Sequence, residues 1–181
     1  MPKIEIPGSY RRGGKSVVGI DPSLTAAAVC VDGTKMVVLA AGPPHKSLHN
    51  RLARWNAHVE NIVREIPTDV RLIVIEGYSF GSKGQATLDI AEFGILLRVR
   101  LLEIAVTVEV APSMLKKFIT GKGNATKLQM AAAIIRCSDA EYATDDEYDA
   151  HGLWMLGEAL LDKSKCRTDF QRAIIIQLGG A

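Results

Sequence analysis

Short apolar runs and turn signals alternate through the first third of the chain. Lys15 to Ile20 and Ala26 to Val31 are joined by a Pro22–Ser23 turn, and Asp32-Gly33 links the second run to Met36 through Ala41. Brief apolar runs bounded by such residues predict strands, and an Asp-Gly pair between two of them predicts a hairpin. Gly42-Pro43-Pro44 closes this meander. The period then changes: Leu48, Leu52, Trp55, Val59, Ile62 and Val63 recur at helical spacing over residues 47 to 65. Arg71 to Ile75 is a fourth β-rich run, ending at Glu76 and Gly77. Residues 85 to 104 predict a helix, with Leu88, Ala91, Ile95 and Val99 along one side, and Val106 to Val110 a fifth strand stopped by Pro112. Further helices are expected at 125–137 and 144–162; Phe170 to Leu178 fits a short strand or a helix equally.

Three antiparallel-type strands followed by alternating helices and strands predict an α/β domain, a five-stranded mixed sheet with helices packed on it. Strands covered on both faces are apolar throughout, and against that background two acids stand out. Asp21 ends the first run in VVGIDPSLT, and Glu76 ends the fourth in IVIEGYSF. An unpaired buried carboxylate costs several kcal/mol or gives up its charge, so a partner is required. The structural alternatives are a turn-forming Asp before Pro for Asp21 and a strand-end acid paired with an arginine for Glu76.

A third acidic group lies in TDDEYDAHGL. Thr144 through Glu147 matches a capping box, and acids in a first helical turn complement the helix dipole. That accounts for Asp145 and Glu147 but not for Asp149, which lies beyond the first turn. Asp146 and Asp149 share one helix face, continued by Gly152, Leu153, Leu156 and Leu160 toward the core. Four carboxylates in one neighbourhood repel strongly, by roughly 4 kcal/mol per pair at ~4 Å and an effective dielectric near 20. Divalent cations remove that cost, and an oxygen-only donor set selects Mg²⁺ or Mn²⁺. Two such ions bridged by a shared Asp would clamp the attacking and leaving oxygens of a phosphodiester. His151, two residues after Asp149, points off the carboxylate face and is expected at a surface or interface rather than on a metal.

Composition sharpens this picture. The 181 residues, 48% hydrophobic and 23% charged, fit one compact domain with a basic, Gly-rich arm over residues 1–15, a body over 16–162 and an extension over 163–181. No apolar run reaches the ~18 residues of a membrane span, so no membrane partner is expected. Three well-separated cysteines, Cys30, Cys137 and Cys166, match no metal-ligand spacing and suggest a reducing, cytoplasmic setting. A net charge of +2 hides a polarised distribution. From Val110 to Ser138 there is no acid, while Lys116, Lys117, Lys122, Lys127 and Arg136 fall inside; six acids follow between Asp139 and Asp149. A metal site flanked by a phosphate-binding surface fits that arrangement better than a merely solvated face.

In their order, VVGIDPSLT, IVIEGYSF, VEVAPSMLKKFITGKGNATKLQM and DDEYDAHGL resemble the RuvC-type Holliday junction resolvases, especially the shorter bacteriophage-like members. The resemblance spans roughly residues 16 to 160. It implies a ribonuclease H-like fold, a homodimer, and Mg²⁺- or Mn²⁺-dependent cutting of paired strands in branched, four-way DNA junctions, with two ions per active site. It further implies Asp21, Glu76, Asp146 and Asp149 as catalytic metal ligands, with Asp145 the competitor of Asp146. Lys127 corresponds to a catalytic position near the scissile phosphate, Lys116, Lys117 and Lys122 to DNA-backbone contacts, and Tyr78 and Phe80 to aromatics beside unpaired bases. Thr25-Ala26-Ala27 departs from the family's Thr-Gly pair. Other readings stay open: a broader nuclease of forks, flaps and Y-shaped DNA, a non-catalytic junction-binding protein, and an actin-like nucleotide-binding domain, for which the chain lacks room for a second lobe.

Overall fold

The structure, a computed structural model, describes residues 14–78 and 85–179, with the side chains of 85 and 86 excepted. Nearly all of the expected N-terminal arm, and Phe80, lie outside these residues. Five strands form one sheet: β1 (Ser16–Asp21), β2 (Ala26–Val31), β3 (Lys35–Ala40), β4 (Val70–Glu76) and β5 (Val106–Val110), in the order β3-β2-β1-β4-β5. The first three are antiparallel, whereas β4 and β5 run parallel to β1. The Asp-Gly hairpin forms as the sequence predicts: Asp32 and Gly33 both have positive φ, at 51° and 67°. That conformation matches the strand twist of a two-residue turn.

Helices cover both faces. On one side lie α1 (Leu48–Glu65) and α2 (Gln85–Ile104), whose Trp55, Val59, Ile62, Phe93, Leu97 and Leu101 pack on Val18, Ile20, Ile73 and Ile75. On the other lie α3 (Pro112–Thr120), α4 (Lys127–Ser138), α5 (Asp145–Leu161) and α6 (Asp169–Gln177), with a single 3₁₀ turn at Lys163–Lys165. Leu115, Phe118, Met130, Leu153, Leu156 and Ile174 from that layer meet Val17, Leu72 and Val74. Side chains alternate across a strand, so Val17, Gly19 and Asp21 of β1 and Leu72, Val74 and Glu76 of β4 face the α5 layer. The two strand-end acids thus open toward the same helix. Among the described residues no helix is long and apolar enough to cross a membrane, and all three cysteines are free.

Three elements differ from, or go beyond, the periodicity reading. Pro112 does end β5, but it also opens α3, a helix the apolar pattern does not disclose. Proline's fixed φ is already helical and its missing N–H costs nothing in a first turn. Phe170 to Leu178 resolves as α6, with Thr168 as the N-cap accepting from Gln171 N. On α2 the side carrying Leu88, Ile95 and Val99 faces solvent, at 58%, 59% and 53% exposure, while Phe93, Leu97 and Leu101 are buried. Apolar residues occur on both sides of this helix, so periodicity alone has no unique phase.

The approach of α5 to β1 is set by a missing side chain. A Cβ placed on Gly19 would sit 2.2 Å from the Ala150 carbonyl oxygen and 2.5 Å from the Trp154 amide nitrogen. Both are helix backbone and cannot swing away. Gly157 makes a similar contact one end along, where a Cβ would lie 2.6 Å from Val17 Cγ1. Gly19→Ala is therefore expected to push α5 off the sheet and to cost about 1–3 kcal/mol. A lowered urea midpoint with an unchanged m-value would record it; wild-type stability would contradict the close packing.

Candidate active site

Asp21 is the last residue of β1, and Glu76 ends the neighbouring β4 one step beyond the Ile20–Ile75 register pair. Asp21 retains only 7% exposure. Opposite them, α5 begins with the expected capping box: Thr144 Oγ1 accepts from Glu147 N at 3.3 Å, and Glu147 Oε2 accepts from Thr144 N at 2.8 Å. Glu147 is thereby spent on the helix end. Asp146 and Asp149, one turn apart on the inward side, act electrostatically on Asp21.

Burial and clustering raise the proton affinity of Asp21, Glu76 and Asp149. Burial, then the charges of Glu76, Asp146 and Asp149, hold the Asp21 carboxyl far above the usual carboxylate range. Burial and Asp149 push Glu76 up as well, against a lowering contribution from Lys116. Asp149 is pushed up to about 6 by burial, opposed by Lys116 and Lys127. Burial and mutual repulsion thus raise the proton affinity of both Asp21 and Glu76, since two neighbouring carboxyls relieve repulsion by holding a proton.

A divalent ion would relieve the same repulsion more completely, and the donor set fits one. The four carboxyls offer hard oxygen atoms only, from two strand ends and one helix, with no competing thiolate or imidazole. Among the described residues no group of three or more acidic, histidine or cysteine side chains is closed around an ion-sized point. Asp145 is engaged by Lys127 Nζ at 2.9 Å; its charge acts on Asp149, whereas that of Asp146 reaches Asp21, Glu76 and Asp149. That favours the D-x-x-D spacing over Asp145.

The basic residues divide into separate groups. Lys116 and Lys127 line a small cavity of about 50 Å³ together with Asp149 and Tyr148, so Lys116, on α3, lies as near the carboxylates as Lys127 does. Sequence spacing placed Lys116 only in the basic block; its helical context, hidden behind Pro112, would have been the signal. Lys117 and Lys122 are exposed and lie away from the carboxylates. Tyr78 is half-buried rather than free: the Arg98 guanidinium carbon stands 4.1 Å above its ring, and the ring packs on Gly94, where a Cβ would meet it at 2.4 Å. Arg98 Nη2 also donates to the Glu76 carbonyl at 3.1 Å and pairs with Glu109. Arg98 thus pins the end of β4, a role no sequence motif announces.

His151 is not at a surface. It is buried behind Asp149, its Nδ1 sharing a hydrogen bond with the Tyr142 hydroxyl at 2.8 Å. Burial lowers its pKa to about 4, so it stays neutral beside the acids. It points off the carboxylate face, as its helical position dictates, but into the contact with β2 and Trp154. The expectation of a surface histidine failed because α5 is enclosed on more than one side.

Strand order β3-β2-β1-β4-β5, with acids at the ends of β1 and β4 and on the helix crossing them, is that of a ribonuclease H-like fold. The family model for crossover junction endodeoxyribonuclease RuvC matches residues 17–150. The crossover junction endodeoxyribonuclease RuvC of Sulfurovum sp. (strain NBC37-1) is 30% identical over 128 residues, covering 67% of this chain and 79% of that protein. That of Rickettsia felis is 29% identical over 143 residues, covering 74% and 91%. Among solved structures, Thermus thermophilus RuvC superposes with a TM-score of 0.60 at 19% identity, covering 92% of this chain and 98% of that one. T. thermophilus RuvC in complex with Holliday junction substrate gives 0.63 at 17% identity, covering 92% and 97%. The chain belongs to the RuvC family.

The raised carboxyls make metal-free stability pH-dependent. A carboxyl whose folded pKa exceeds its unfolded value binds more protons when folded, so its stabilisation is complete below about pH 4 and lost as pH rises through the folded pKa. Metal-free wild type should therefore lose stability between about pH 4 and 9. Asp21→Asn should flatten that profile and, at pH 8 in EDTA, be on the order of 2 kcal/mol more stable than wild type. Adding Mg²⁺ at pH 8 should raise the wild-type thermal midpoint and leave that of Asp21→Asn nearly unmoved. A large metal-free destabilisation by Asp21→Asn would make Asp21 a structural residue instead.

Proposed function

We propose that this protein is a divalent-metal-dependent endonuclease that resolves four-way DNA junctions by paired, symmetric nicks leaving 5′-phosphate and 3′-hydroxyl ends. The observation that carries the reading is the gathering of Asp21, Glu76, Asp146 and Asp149 at one end of the sheet in a RuvC-family chain. One family relative in solved form is described in complex with a Holliday junction substrate, which makes that the substrate class to test first.

Asp21, Glu76, Asp146 and Asp149 would hold Mg²⁺ or Mn²⁺, two ions at full occupancy. Bound there, the cations supply the charge that stabilises the attacking and leaving oxygens of the phosphodiester. Asp21, Glu76 and Asp149, whose proton affinity burial raises, must be ionised to act as ligands, so binding releases protons and strengthens with pH. Lys116 and Lys127 flank the carboxylates on the α3 and α4 side, where an ammonium offsets the extra negative charge of a pentacovalent phosphate. Lys127 must leave Asp145 to do so; the pair is exposed, and such pairs are worth only ~0.2–1 kcal/mol. His151, kept neutral, adds no charge to the site.

Paired nicks require two active sites, and α2 supplies a surface for a homodimer. Leu88, Ile95 and Val99 form an exposed apolar row on the face of the sheet opposite α5. Two copies joined by such rows present their carboxylate sites separately, one per cut strand. Ile95→Glu combined with Val99→Glu should weaken self-association by on the order of 100-fold, as two charges forced into an apolar contact cost roughly 3 kcal/mol. Light scattering would show a monomer, and paired nicking would fall to single nicks.

The decisive assay incubates the protein with a synthetic four-way junction, with and without Mg²⁺. Wild type should produce symmetric nicks only with metal, and Asp149→Asn should bind the junction with affinity near wild type while cutting at least a thousandfold more slowly. Full cleavage by Asp149→Asn in Mg²⁺ would remove the carboxylates from the chemistry. Forks, flaps and Y-shaped DNA run beside the junction would show how narrow the specificity is.

A further inference from the structure

The ladder holds β1 as far as Asp21, which pairs with Ala28 of β2, and the chain then leaves the sheet through residues 22–25. Pro22 brings no amide hydrogen to this turn. The side-chain bonds inside it are short-range and exposed: Ser23 Oγ lies 3.1 Å from Thr25 Oγ1 and accepts from the Thr25 amide at 3.4 Å. Such bonds compete poorly with water, and a turn held by them alone would leave the end of β1, with its carboxyl, free to shift.

Helix α1 supplies the restraint from the face of the sheet away from the acids. Arg54 is half-buried there, and its donors go to main-chain carbonyls in two segments. Nη2 donates to the Leu24 carbonyl at 2.8 Å, and Nε donates to those of Ala41 and Gly42 at 2.9 and 3.0 Å. One guanidinium therefore joins the turn after β1 to the exit of β3, and the Ala41 amide closes the tie by donating to the Thr25 carbonyl at 2.9 Å. The guanidinium is itself oriented, with its carbon 4.1 Å from the centre of the buried Trp55 ring. One turn further along α1, His58 packs beneath the same turn: it is buried, its ring centre lies 5.0 Å from that of Phe93, and the Ser23 backbone acts on its proton. Burial lowers its pKa, so it supports the turn as a neutral ring. A planar fork can meet several carbonyls at fixed angles, which the single ammonium of a lysine cannot.

The turn also shares a cavity of about 290 Å³ with Glu76, Gly77 and Tyr78. Arg98, from α2, lines that cavity and donates to the Glu76 carbonyl at 3.1 Å. Each acid-bearing strand end is thus tied through its backbone by one arginine of the α1–α2 layer, β4 at Glu76 itself and β1 at Leu24, three residues past Asp21.

We propose that Arg54 is a positioning residue for the metal site: by holding residues 22–25 against α1 it keeps the Asp21 carboxyl where it can share a divalent cation with Glu76, Asp146 and Asp149. This rests on the metal-dependent nuclease reading above and adds to it a residue from the opposite face of the sheet. Arg54 touches neither the cation nor the DNA. Removing the partners that orient a ligand typically weakens metal binding 10–100-fold.

The test compares Arg54→Lys and Arg54→Gln with Arg51→Lys, each in the full chain. Lysine at position 54 keeps the charge and the aliphatic stem while losing the fork. Arg51, on the same helix, makes a two-pronged pair with Glu92 of α2 at 2.8 Å, so its lysine variant loosens helix packing without touching the turn. Thermal midpoints are followed through a MgCl₂ titration at pH 8, junction affinity is measured in EDTA, and the cleavage rate is measured against Mg²⁺. Arg54→Lys should need roughly tenfold more Mg²⁺ to reach half of its midpoint shift and half of its maximal rate. Its rate at saturating Mg²⁺ should stay within about threefold of wild type, and its junction affinity within about twofold. Arg54→Gln should move the same half-points at least as far, and if it does not fold, Arg54→Lys decides the matter alone. Arg51→Lys should lower the metal-free midpoint and keep the wild-type Mg²⁺ half-points. Wild-type half-points in Arg54→Lys would overturn the proposal, and so would an equal rise in Arg51→Lys, which would mark general loosening. A wild type whose midpoint ignores Mg²⁺ and which leaves junctions uncut would instead overturn the metal-dependent nuclease reading, and this one with it.

Discussion

Four carboxyl groups meet where the ends of β1 and β4 pass under the first turns of α5, and their mutual repulsion is the constraint around which this molecule is built. Left to itself such a cluster would either swell open or take up protons. Burial and mutual repulsion raise the proton affinity of Asp21 and Glu76 accordingly. The cluster persists because the surrounding packing is rigid. Gly19 lets the backbone of α5 lie directly on β1, and Leu153 and Leu156, further along the same helix, are fully buried against the sheet. The apolar contacts of α5 thus stabilise a geometry that its acids oppose.

That opposition is useful chemistry. A site preorganised for positive charge has high affinity for whatever supplies it, and the oxygen-only donors restrict what can. The residues behind the acids are matched to this purpose. Glu147 is withdrawn into the helix cap, Asp145 is balanced by Lys127, and His151 is held neutral by burial against Tyr142. Arg98 steadies the Glu76 backbone through its carbonyl.

The two faces of the sheet serve different needs. The α5 face carries the acids and the flanking lysines. The opposite face is sealed by α1 and α2, and its outermost surface is the apolar row of α2 rather than a polar helix side. The acids and the exposed apolar row of α2 therefore lie on opposite sides of the sheet, whose strand β1 is buried throughout and β2 from Ala27 on.

Much of this was legible in the residues themselves. Strands, the Asp-Gly hairpin and the capping box at Thr144 are local events, dictated by backbone chemistry within a few residues. Asp21 and Glu76 stood out because a charge at the end of an apolar strand is costly in any fold, and Asp146 and Asp149 because helical geometry fixes which residues share a side. What the chain alone could not decide were matters of which surface meets which. The apolar residues of α2 lie on both sides, so only packing against β1 and β4 selects Phe93, Leu97 and Leu101 as the buried set. Pro112 can end a strand or begin a helix, and the helix wins because Leu115 and Phe118 find a core to enter. Lys116 reaches the carboxylates, and His151 sinks from an expected surface into the contact with β2, for the same reason: distances across the sheet are set by long-range packing, which no local periodicity encodes.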